Sequence, residues 1–459
     1  MALAILCAAA LMIILDGTIV TVALPSIQRS LRFSSTSLTW VVNAYMIAFG
    51  SLLLLAGRLG DLIGPKRVLL WGLGVFTLAS LVCGFAVTPA MLIGARFVQG
   101  AGGAMVSAVA LGMIVTLHPE PDARARALAV FSFVGAAGAA IGLIAGGVLT
   151  QLLNWHWIFF VNLPIGLLTG IPAARVLEDR PAAGLRAGAD AIGAVLVTAG
   201  LMLGIYAIVA APWAGVGSGL LLVAFVMRQR WAATPLLKLR VFASRNVSGV
   251  YFAQLLVIAA AWGFQVLITM YMQHVLGYGA AATGLAFAPT AVVIGAVSLG
   301  VSALLIARFG ARSVLLSGLV LVVVALAMLT ALPTHGSYAL RLLPALLVFG
   351  AGGGLALPAL ATLGMSDATP DDAGLISGLF NTGQQVGGAI GVAALSALAA
   401  AHTRDLGSSG RDAASALTGG YHLAFGIGAA LGTAAIVVTA TVLRRGRMAV
   451  HLSSEQVNQ

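Results

Sequence analysis

Charged residues are scarce in this sequence. Only 8% of its 459 residues are Asp, Glu, Lys or Arg, whereas an ordinary soluble domain carries about 25%. Hydrophobic residues make up 60% of the chain, and apolar runs of some twenty residues recur along its whole length. A soluble core cannot bury such runs. The sequence therefore predicts an all-α polytopic membrane protein.

The sequence also has little of the chemistry that enzymes and metalloproteins use. Its two cysteines, Cys7 and Cys83, both fall in apolar runs, where they are interpreted as small packing residues rather than a disulfide. The seven histidines show no metal-ligand spacing. The runs GAGGA and GAGGG follow no soluble strand and carry no Lys, so neither is a phosphate loop. We expect no enzymatic activity, no metal and no cofactor, with an ion gradient as the energy source.

Positive charge is in excess by eleven, yet it forms no single basic patch. The basic residues lie between the apolar runs, where they set membrane orientation, and no nucleic-acid partner is predicted. With a cytoplasmic N-terminus, eighteen of the 24 Lys and Arg residues fall on the cytoplasmic side, which predicts that both termini are cytoplasmic. Five fall on the outer side, namely Arg29, Arg32, Arg341, Arg404 and Arg411.

Apolar runs of helical length predict fourteen membrane spans. They are residues 3–24, 39–57, 68–87, 91–116, 127–151, 156–174, 190–211, 213–227, 247–271, 283–306, 313–332, 342–364, 374–401 and 421–443. The weakest boundary is Ala211-Pro212-Trp213, where almost no loop separates two spans. If these two spans were one element, the count would be odd and the termini would lie on opposite sides.

Two stretches of the chain resemble each other. GRLGDLIGPKRVLLWG (57–72) follows the second span and LLIARFGARSVLLSG (304–318) follows the tenth. Each ends a helix, turns through a Gly beside basic residues and begins another helix. Duplicated halves with a midplane substrate site are a recurring plan of secondary transporters. The predicted organisation is two six-helix halves (1–175 and 245–444), an inserted helix pair with cytoplasmic linkers (176–244) and a cytoplasmic tail (445–459).

Asp16 and Arg96 are the only ionisable residues that we place inside the hydrocarbon region of the membrane. A charge at bilayer depth costs about 2.5–3.5 kcal/mol on insertion scales and usually faces a bundle interior or a wet cavity. One acid and one base at similar depth on the first and fourth spans indicate a transport pathway. Asp16 is interpreted either as a titrating proton carrier or as a structural acid paired with a donor.

Five segments, in chain order, carry a resemblance to a known membrane family. They are LDGTIVTVALP (15–25), GRLGDLIGPKR (57–67), LIGARFVQGAGGA (92–104), WHWIFFVNLPIG (155–166) and GLFNTGQQVGGAIG (378–391). The chain resembles the major facilitator superfamily and, within it, the fourteen-helix drug/proton antiporters. The resemblance spans essentially the whole chain and implies the major facilitator fold.

The loop between the second and third spans is similar to the family's G-x-L-x-D-R-x-G-R-K motif, although Leu62 stands where the family usually has Arg. The matching residues are Gly57, Leu59, Asp61, Gly64, Lys66 and Arg67. With Arg124 near the start of the fifth helix, these charges are predicted to form a conformational latch that holds one state and breaks in the other. The alternative is a solvated loop acid that contributes little.

Two further segments resemble helix motifs of the family. The fourth span is similar to L-x-x-x-R-x-x-Q-G-x-G-A-A, and the resemblance implies that Arg96 takes part in proton coupling; the alternative is a structural hydrogen-bond hub. The fifth span reads GAAIGLIAGG where antiporters usually have G-x-x-x-G-P-x-x-G-G, so that Leu143 replaces the Pro. Its predicted helix-packing residues are Gly138, Gly142, Gly146 and Gly147.

Few other polar residues fall within the spans, and each is predicted either to face a substrate cavity or to bridge helices. The candidates for the cavity are Asn43, Gln99, Gln265, Asn381 and Gln385. A single intramembrane carboxylate gives little provision for a dication. The predicted substrate is therefore a hydrophobic or monocationic small molecule.

The predicted function is export of such a drug or antibiotic across a bacterial cytoplasmic (inner) membrane by proton antiport with alternating access, carried out by a monomer embedded in the lipid bilayer. A facilitator or symporter of a small metabolite would share the fold and is the alternative. A channel would require a polar pore stripe and a receptor a sizeable soluble domain, and the sequence has neither.

Overall fold

In the computed structural model the chain folds into a bundle of long helices. The structure describes residues 1–34, 36–117, 120–179, 184, 190–237, 239–243, 245–334, 337–364 and 373–443. The predicted tail 445–459 lies outside these residues. The helices are α1 Ala2–Leu31, α2 Trp40–Ile63, α3 Pro65–Gly84, α4 Pro89–Leu117, α5 Pro121–Leu152, α6 Trp157–Val176, α7 Ala191–Val209, α8 Ala214–Trp231, α9 Arg245–His274, α10 Ala280–Phe309, α11 Ala311–Leu329, α12 Tyr338–Gly364, α13 Ala373–Ser408 and α14 Ala413–Thr441.

Twelve helices in the described part of the chain are long and apolar enough to cross a membrane. The two predicted spans outside that set are α5, whose described apolar part is Ala137–Leu152, and α8, whose last turn carries Arg228 and Arg230. The predicted break at Ala211-Pro212-Trp213 is present, because a tight turn separates α7 from α8 there.

The helix pairing of the first six helices is repeated in the last six. The pairs α1–α5, α2–α4, α3–α4 and α3–α6 correspond to α9–α13, α10–α12, α11–α12 and α11–α14. The contacts between the two sets show the same correspondence, because the pair α2–α13 is matched by the pair α10–α5. This arrangement is the pseudo-symmetry that the related stretches 57–72 and 304–318 predict.

Glycine terminates a helix at each of the two related turns. Gly64 follows α2 with φ 98° and ψ 138°, and Gly310 follows α10 with φ 80° and ψ 148°. A positive φ is strained for residues with a Cβ, so glycine is favoured at both positions. After the second turn, Arg312 of α11 donates to the carbonyls of Thr439 and Ala440 at the end of α14.

Helix α7 of the inserted pair packs against both α2 and α13, and thus lies beside the junction of the two sets. Asp190 caps α7 by accepting from the Gly193 amide at 2.9 Å, and it also accepts from Gln229 at 2.7 Å and Arg228 at 3.0 Å on α8. Burial alone would raise the pKa of Asp190, but these three donors together hold it below its ordinary value. The carboxylate therefore fastens one helix of the pair to the other.

Close packing of α2 against α13 joins the two sets of helices. A Cβ on Gly50 would lie 2.8 Å from Gln385 Cβ, and one on Gly378 would lie 2.9 Å from Leu54. Thr382 Oγ1 donates to the Gly50 carbonyl at 2.9 Å. These contacts run from the middle of α2 toward its end at Ile63.

Candidate functional site

Asp16 and Arg96 form an ion pair in the interior of the first six helices. Arg96 Nη1 lies 2.6 Å from Asp16 Oδ2, and the Arg96 and Asp16 side chains are 1% and 0% exposed, respectively. Asp16 lies halfway along α1 and Arg96 in the first third of α4. Asp16 and Arg96 therefore lie at similar depth, as the sequence predicts, and are in direct contact.

Two amides donate to the other carboxylate oxygen of Asp16. Gln99 Nε2 and Asn162 Nδ2 each lie 2.8 Å from Asp16 Oδ1. Both amides also donate to Ser80 Oγ, at 3.1 Å and 2.9 Å, and this hydroxyl donates to the Phe159 carbonyl at 2.9 Å. Helices α1, α3, α4 and α6 thus each contribute a side chain to one hydrogen-bonded cluster, which we call the Asp16 cluster (Asp16, Ser80, Arg96, Gln99 and Asn162).

Arg96 is held on several sides. Its Nε donates to the Val41 carbonyl of α2 at 3.0 Å, and its Nη1 also donates to Gln99 Oε1 at 2.7 Å. The guanidinium lies over the Tyr45 ring, 4.2 Å from the ring centroid. A planar guanidinium can serve these partners simultaneously, which an ammonium cannot.

Arg96, Gln99 and Asn162 all donate to the Asp16 carboxylate, an arrangement that suits an acceptor-only group. A buried ion pair is stable only when further hydrogen bonds satisfy its oxygens and protons, as they do here. Protonation of Asp16 would remove the counter-charge of a wholly enclosed Arg96. Asn162 Oδ1 is buried without a hydrogen-bond partner among the described residues, so an acceptor lies unused beside the acid.

A cavity of about 890 Å³ lies between the two sets of helices, at the end of the bundle where α1 ends and α2 begins. Its residues come from α1, α2, α9, α13 and α14. They are Leu24, Gln28, Arg29, Arg32, Ser34, Thr36, Leu38, Thr39, Val42, Val266, Leu267, Met270, His274, Val392, Ser396, Ala399, Ala400, Thr403, Arg404, Leu417 and Tyr421. This volume accommodates a drug-sized molecule.

None of the five residues predicted for the substrate cavity lines this one. Asn43 is fully buried, and neither atom of its amide has a partner in the described structure. Gln99 belongs to the Asp16 cluster, and Gln385 packs at the α2–α13 contact. Gln265 is half-buried and Asn381 is exposed. A substrate role for these residues stays a prediction.

The predicted latch residues lie around the turn between α2 and α3. Asp61 is 3.7 Å from Arg58 of its own helix, while Arg67 is 3.9 Å from Asp179. Each of these two contacts has at least one highly exposed side chain, so each contributes at most about 1 kcal/mol in water. Gly57 and Lys66 are half-buried and Gly64 forms the turn. The Arg124 side chain lies outside the described residues.

The glycines of α5 bring it against two neighbouring helices. A Cβ on Gly138, Gly142 or Gly146 would meet α1, and one on Gly147 would meet the backbone at Ala280 of α10. Close approach of this kind requires small residues. Leu143, at the position of the family's Pro, is nearly buried, and its carbonyl lies against Gly284 of α10.

Sequence reasoning overlooked Ser80 and Asn162, which complete the Asp16 cluster. Asn162 lies within the quoted segment 155–166, so the family resemblance contained a signal for it. Ser80 carries none, because a serine in an apolar helix usually bonds its own backbone. The basic lining of the cavity was also missed, since the arginines lie far apart in sequence.

Known proteins match the chain over most of its length. The sequence profile of the Major Facilitator Superfamily matches residues 6–392. The cephamycin export protein CmcT of Amycolatopsis lactamdurans is 41% identical over 86% of this chain and 84% of its own. The puromycin resistance protein pur8 of Streptomyces alboniger is 38% identical over 89% and 84%. Such relatives and twelve apolar spans indicate a multi-pass transport protein of the bacterial inner membrane, not an enzyme.

A solved structure shares the fold at low sequence identity. A bacterial homologue of the human lysosomal transporter Spinster, in an inward-facing and occupied conformation, superposes with a TM-score of 0.70 at 14% identity, covering 97% of this chain and 96% of its own. The repeated helix pairing and the buried Asp16 cluster are consistent with the family whose sequence profile matches residues 6–392. The chain belongs to the major facilitator superfamily.

Proposed function

We propose that this protein exports a hydrophobic or amphiphilic drug or antibiotic by exchanging it for a proton. The buried Asp16–Arg96 ion pair is the observation that carries the proposal. Export is the direction stated in the name of the cephamycin relative, and resistance in that of the puromycin relative. No ATP-binding motif is present in the sequence, so the proton gradient supplies the free energy.

Asp16 is the group that exchanges the proton in this proposal. In the observed arrangement its carboxylate oxygens accept hydrogen bonds from Arg96, Gln99 and Asn162. A proton would neutralise it, release Arg96 from the pair and require an acceptor for the new hydroxyl. Asn162 Oδ1 would supply that acceptor if the amide turned over. Arg96 cannot release its own proton and serves to hold the acid ionised.

Alternating access would follow from the two sets of helices moving against each other. The observed cavity is open at the α1–α2 end, and the α2–α13 contact closes the other end. Loss of the counter-charge in the Asp16 cluster would shift α1 relative to α4, and α1 also lines the cavity. The cluster and the cavity are thereby coupled through one helix.

We further propose fourteen spans with both termini in the cytoplasm, and a monomer as the working unit. The helices α5 and α8 would supply the two additional crossings, with 32 and 18 residues. The open cavity would then face outward. The Arg- and His-bearing lining does not favour the monocation that sequence reasoning also allowed.

The test is transport by purified protein in liposomes with an imposed pH gradient. Wild-type protein should accumulate a fluorescent substrate against its gradient only when the proton gradient is present. Asp16→Asn should lose at least 90% of this uptake, yet still allow exchange of substrate at equal pH, because its amide cannot titrate. Asp405→Asn, an exposed acid on α13, is the control and should match wild type.

Full proton-driven uptake by Asp16→Asn would overturn the proposed role of Asp16. Equilibration of the substrate without accumulation, whether or not a pH gradient is imposed, would indicate a facilitator. Uptake that runs with the proton rather than against it would indicate a symporter.

A further inference from the structure

We infer that the cavity between the helix sets binds the anionic group of an amphiphilic substrate, such as a carboxylate. This inference rests on the proposed function, because it names the substrate class of that transport. Three observations support it: arginines line the cavity, these arginines form no ion pair within the described part of the chain, and one of them, Arg32, has a left-handed backbone conformation.

The lining is basic and holds no acid. Arg29, Arg32, Arg404 and His274 line the cavity, and no Asp or Glu lies among its described lining residues. None of the three arginines belongs to an ion pair within the described part of the chain. Within the described residues, the Arg29 side chain donates one hydrogen bond, to Ser26 Oγ at 3.4 Å. Three guanidinium groups are therefore available to an incoming anion.

The concentration of arginine here runs against the charge distribution of the whole chain. Only five of its 24 Lys and Arg residues are placed on the outer side by the sequence, where basic residues are generally depleted. Three of those five line this one cavity. Orientation signals do not account for such clustering, since they would place basic residues at the opposite membrane face.

The backbone at Arg32 supports a role for its side chain. Arg32 ends α1 with φ 56° and ψ 40°, and it is the one non-glycine residue with a positive φ among those described. Its N–H closes the helix by donating to the Gln28 carbonyl, which glycine or asparagine could do at lower cost. Helix termination alone thus does not explain an arginine at this position.

The remaining lining is apolar and suits the body of an amphiphile. Val42, Leu267, Met270, Val392 and Tyr421 form wall positions on four different helices. Low-dielectric walls strengthen the attraction between a guanidinium and an anion, and guanidinium binds carboxylate and phosphate with two parallel hydrogen bonds. A molecule with an apolar body and one anionic group satisfies both parts of the cavity.

Binding of matched probes tests the inference. Purified protein in nanodiscs of zwitterionic lipid is titrated with dansyl-aminohexanoate, its neutral methyl amide and a dansyl trimethylammonium analogue, following dansyl fluorescence. Wild type should bind the carboxylate at least about tenfold more tightly than the other two, with a preference that weakens at high salt.

Arg32→Asn and Arg404→Gln should each weaken carboxylate binding about tenfold while leaving the neutral amide unchanged. Arg32→Asn is the sharper variant, because asparagine tolerates the left-handed backbone and folding is not placed at risk. Arg341→Asn is the matched control: it removes an exposed arginine predicted on the same side that does not line the cavity.

Equal binding of the three probes by wild type, or tighter binding of the cation, would overturn the inference. So would a loss of amide and carboxylate binding to the same extent in Arg32→Asn, since that pattern indicates altered cavity shape rather than lost charge. The Asp16→Asn protein should keep the carboxylate preference. If wild type binds the carboxylate selectively but shows no proton-driven uptake, the proposed antiport is overturned and this inference stands. If wild type shows proton-driven uptake but no selectivity for the carboxylate, this inference is overturned and the antiport stands.

Discussion

At the residue scale, the proton exchange that we propose depends on how one buried acid is surrounded. Four donated hydrogen bonds converge on Asp16 and Ser80 from the amides of Gln99 and Asn162. Arg96 supplies the counter-charge and is itself fixed by the Val41 carbonyl. The groups around the Asp16 carboxylate donate to it and none of them accepts from it. Protonation of Asp16 therefore requires a rearrangement of the cluster. That requirement makes the cluster a suitable two-state element.

Arg96→Lys tests whether this geometry matters beyond charge. A lysine keeps the positive charge but cannot reach Asp16, Gln99 and the Val41 carbonyl together, and each buried acceptor left unpaired costs about 1–3 kcal/mol. We expect drug efflux from a pump-deleted host to fall more than tenfold. Arg411→Lys, at an exposed site, should leave efflux unchanged. Wild-type efflux by Arg96→Lys would show that charge alone suffices.

At the element scale, glycine decides how closely the helices approach. The repeat of small residues along α5 is readable in the sequence, and the sequence predicts a packing face there. It does not say which helices are contacted. The structure assigns Gly138, Gly142 and Gly146 to α1 and Gly147 to α10, so one helix joins both sets.

Gly146→Ala should destabilise the protein by about 1–3 kcal/mol, because its Cβ would lie 2.5 Å from the Ile19 carbonyl oxygen of α1 and backbone cannot move aside cheaply. Gly74→Ala on α3 is the matched control, since its Cβ meets no described atom within 4 Å and alanine favours helix. Cys7 and Cys83 are both buried, so a thiol-reactive dye reports thermal unfolding. Equal unfolding temperatures for the two variants would contradict the packing role.

At the scale of the whole molecule, each of the helices α1–α6 corresponds to the helix numbered eight higher. This correspondence maps the contacts among α1–α6 onto those among α9–α14, and it also relates the contacts between the two sets. The two junctions α2–α13 and α5–α10 are therefore equivalent by pseudo-symmetry. Duplicated transporters commonly move such halves as rigid bodies around a central site. The cavity at one end and the closed α2–α13 contact toward the other fit a single state of that movement.

Thiol labelling in intact cells tests which side is open. Ser396→Cys lies in the cavity lining and should react with a membrane-impermeant maleimide from outside, with protection by substrate. Thr382→Cys lies at the α2–α13 contact and should react far more slowly. Wild type serves as the background, because both native cysteines are buried. Faster labelling of Thr382→Cys would mean that the opposite end faces outward.

The sequence by itself determined the class, the helices, the repeat and the family, because each depends on local composition or on short motifs. It also singled out Asp16 and Arg96, since two charges in apolar helices are conspicuous on energetic grounds alone. The helix ends were underestimated: α1 reaches Leu31 and α13 reaches Ser408, beyond the predicted 24 and 401. Polar residues continue these helices past the apolar runs on which the prediction relied.

Only the tertiary structure decided what surrounds the acid and what lines the cavity. Ser80 and Asn162 reach Asp16 from α3 and α6, and Arg32 meets Arg404 in one cavity across more than 300 positions of sequence. Such neighbourhoods arise from helix packing, which no local pattern encodes. Helix packing also places Gln99 in the Asp16 cluster and not in the cavity. A buried carboxylate requires hydrogen-bond donors, and the Gln99 amide is one of them.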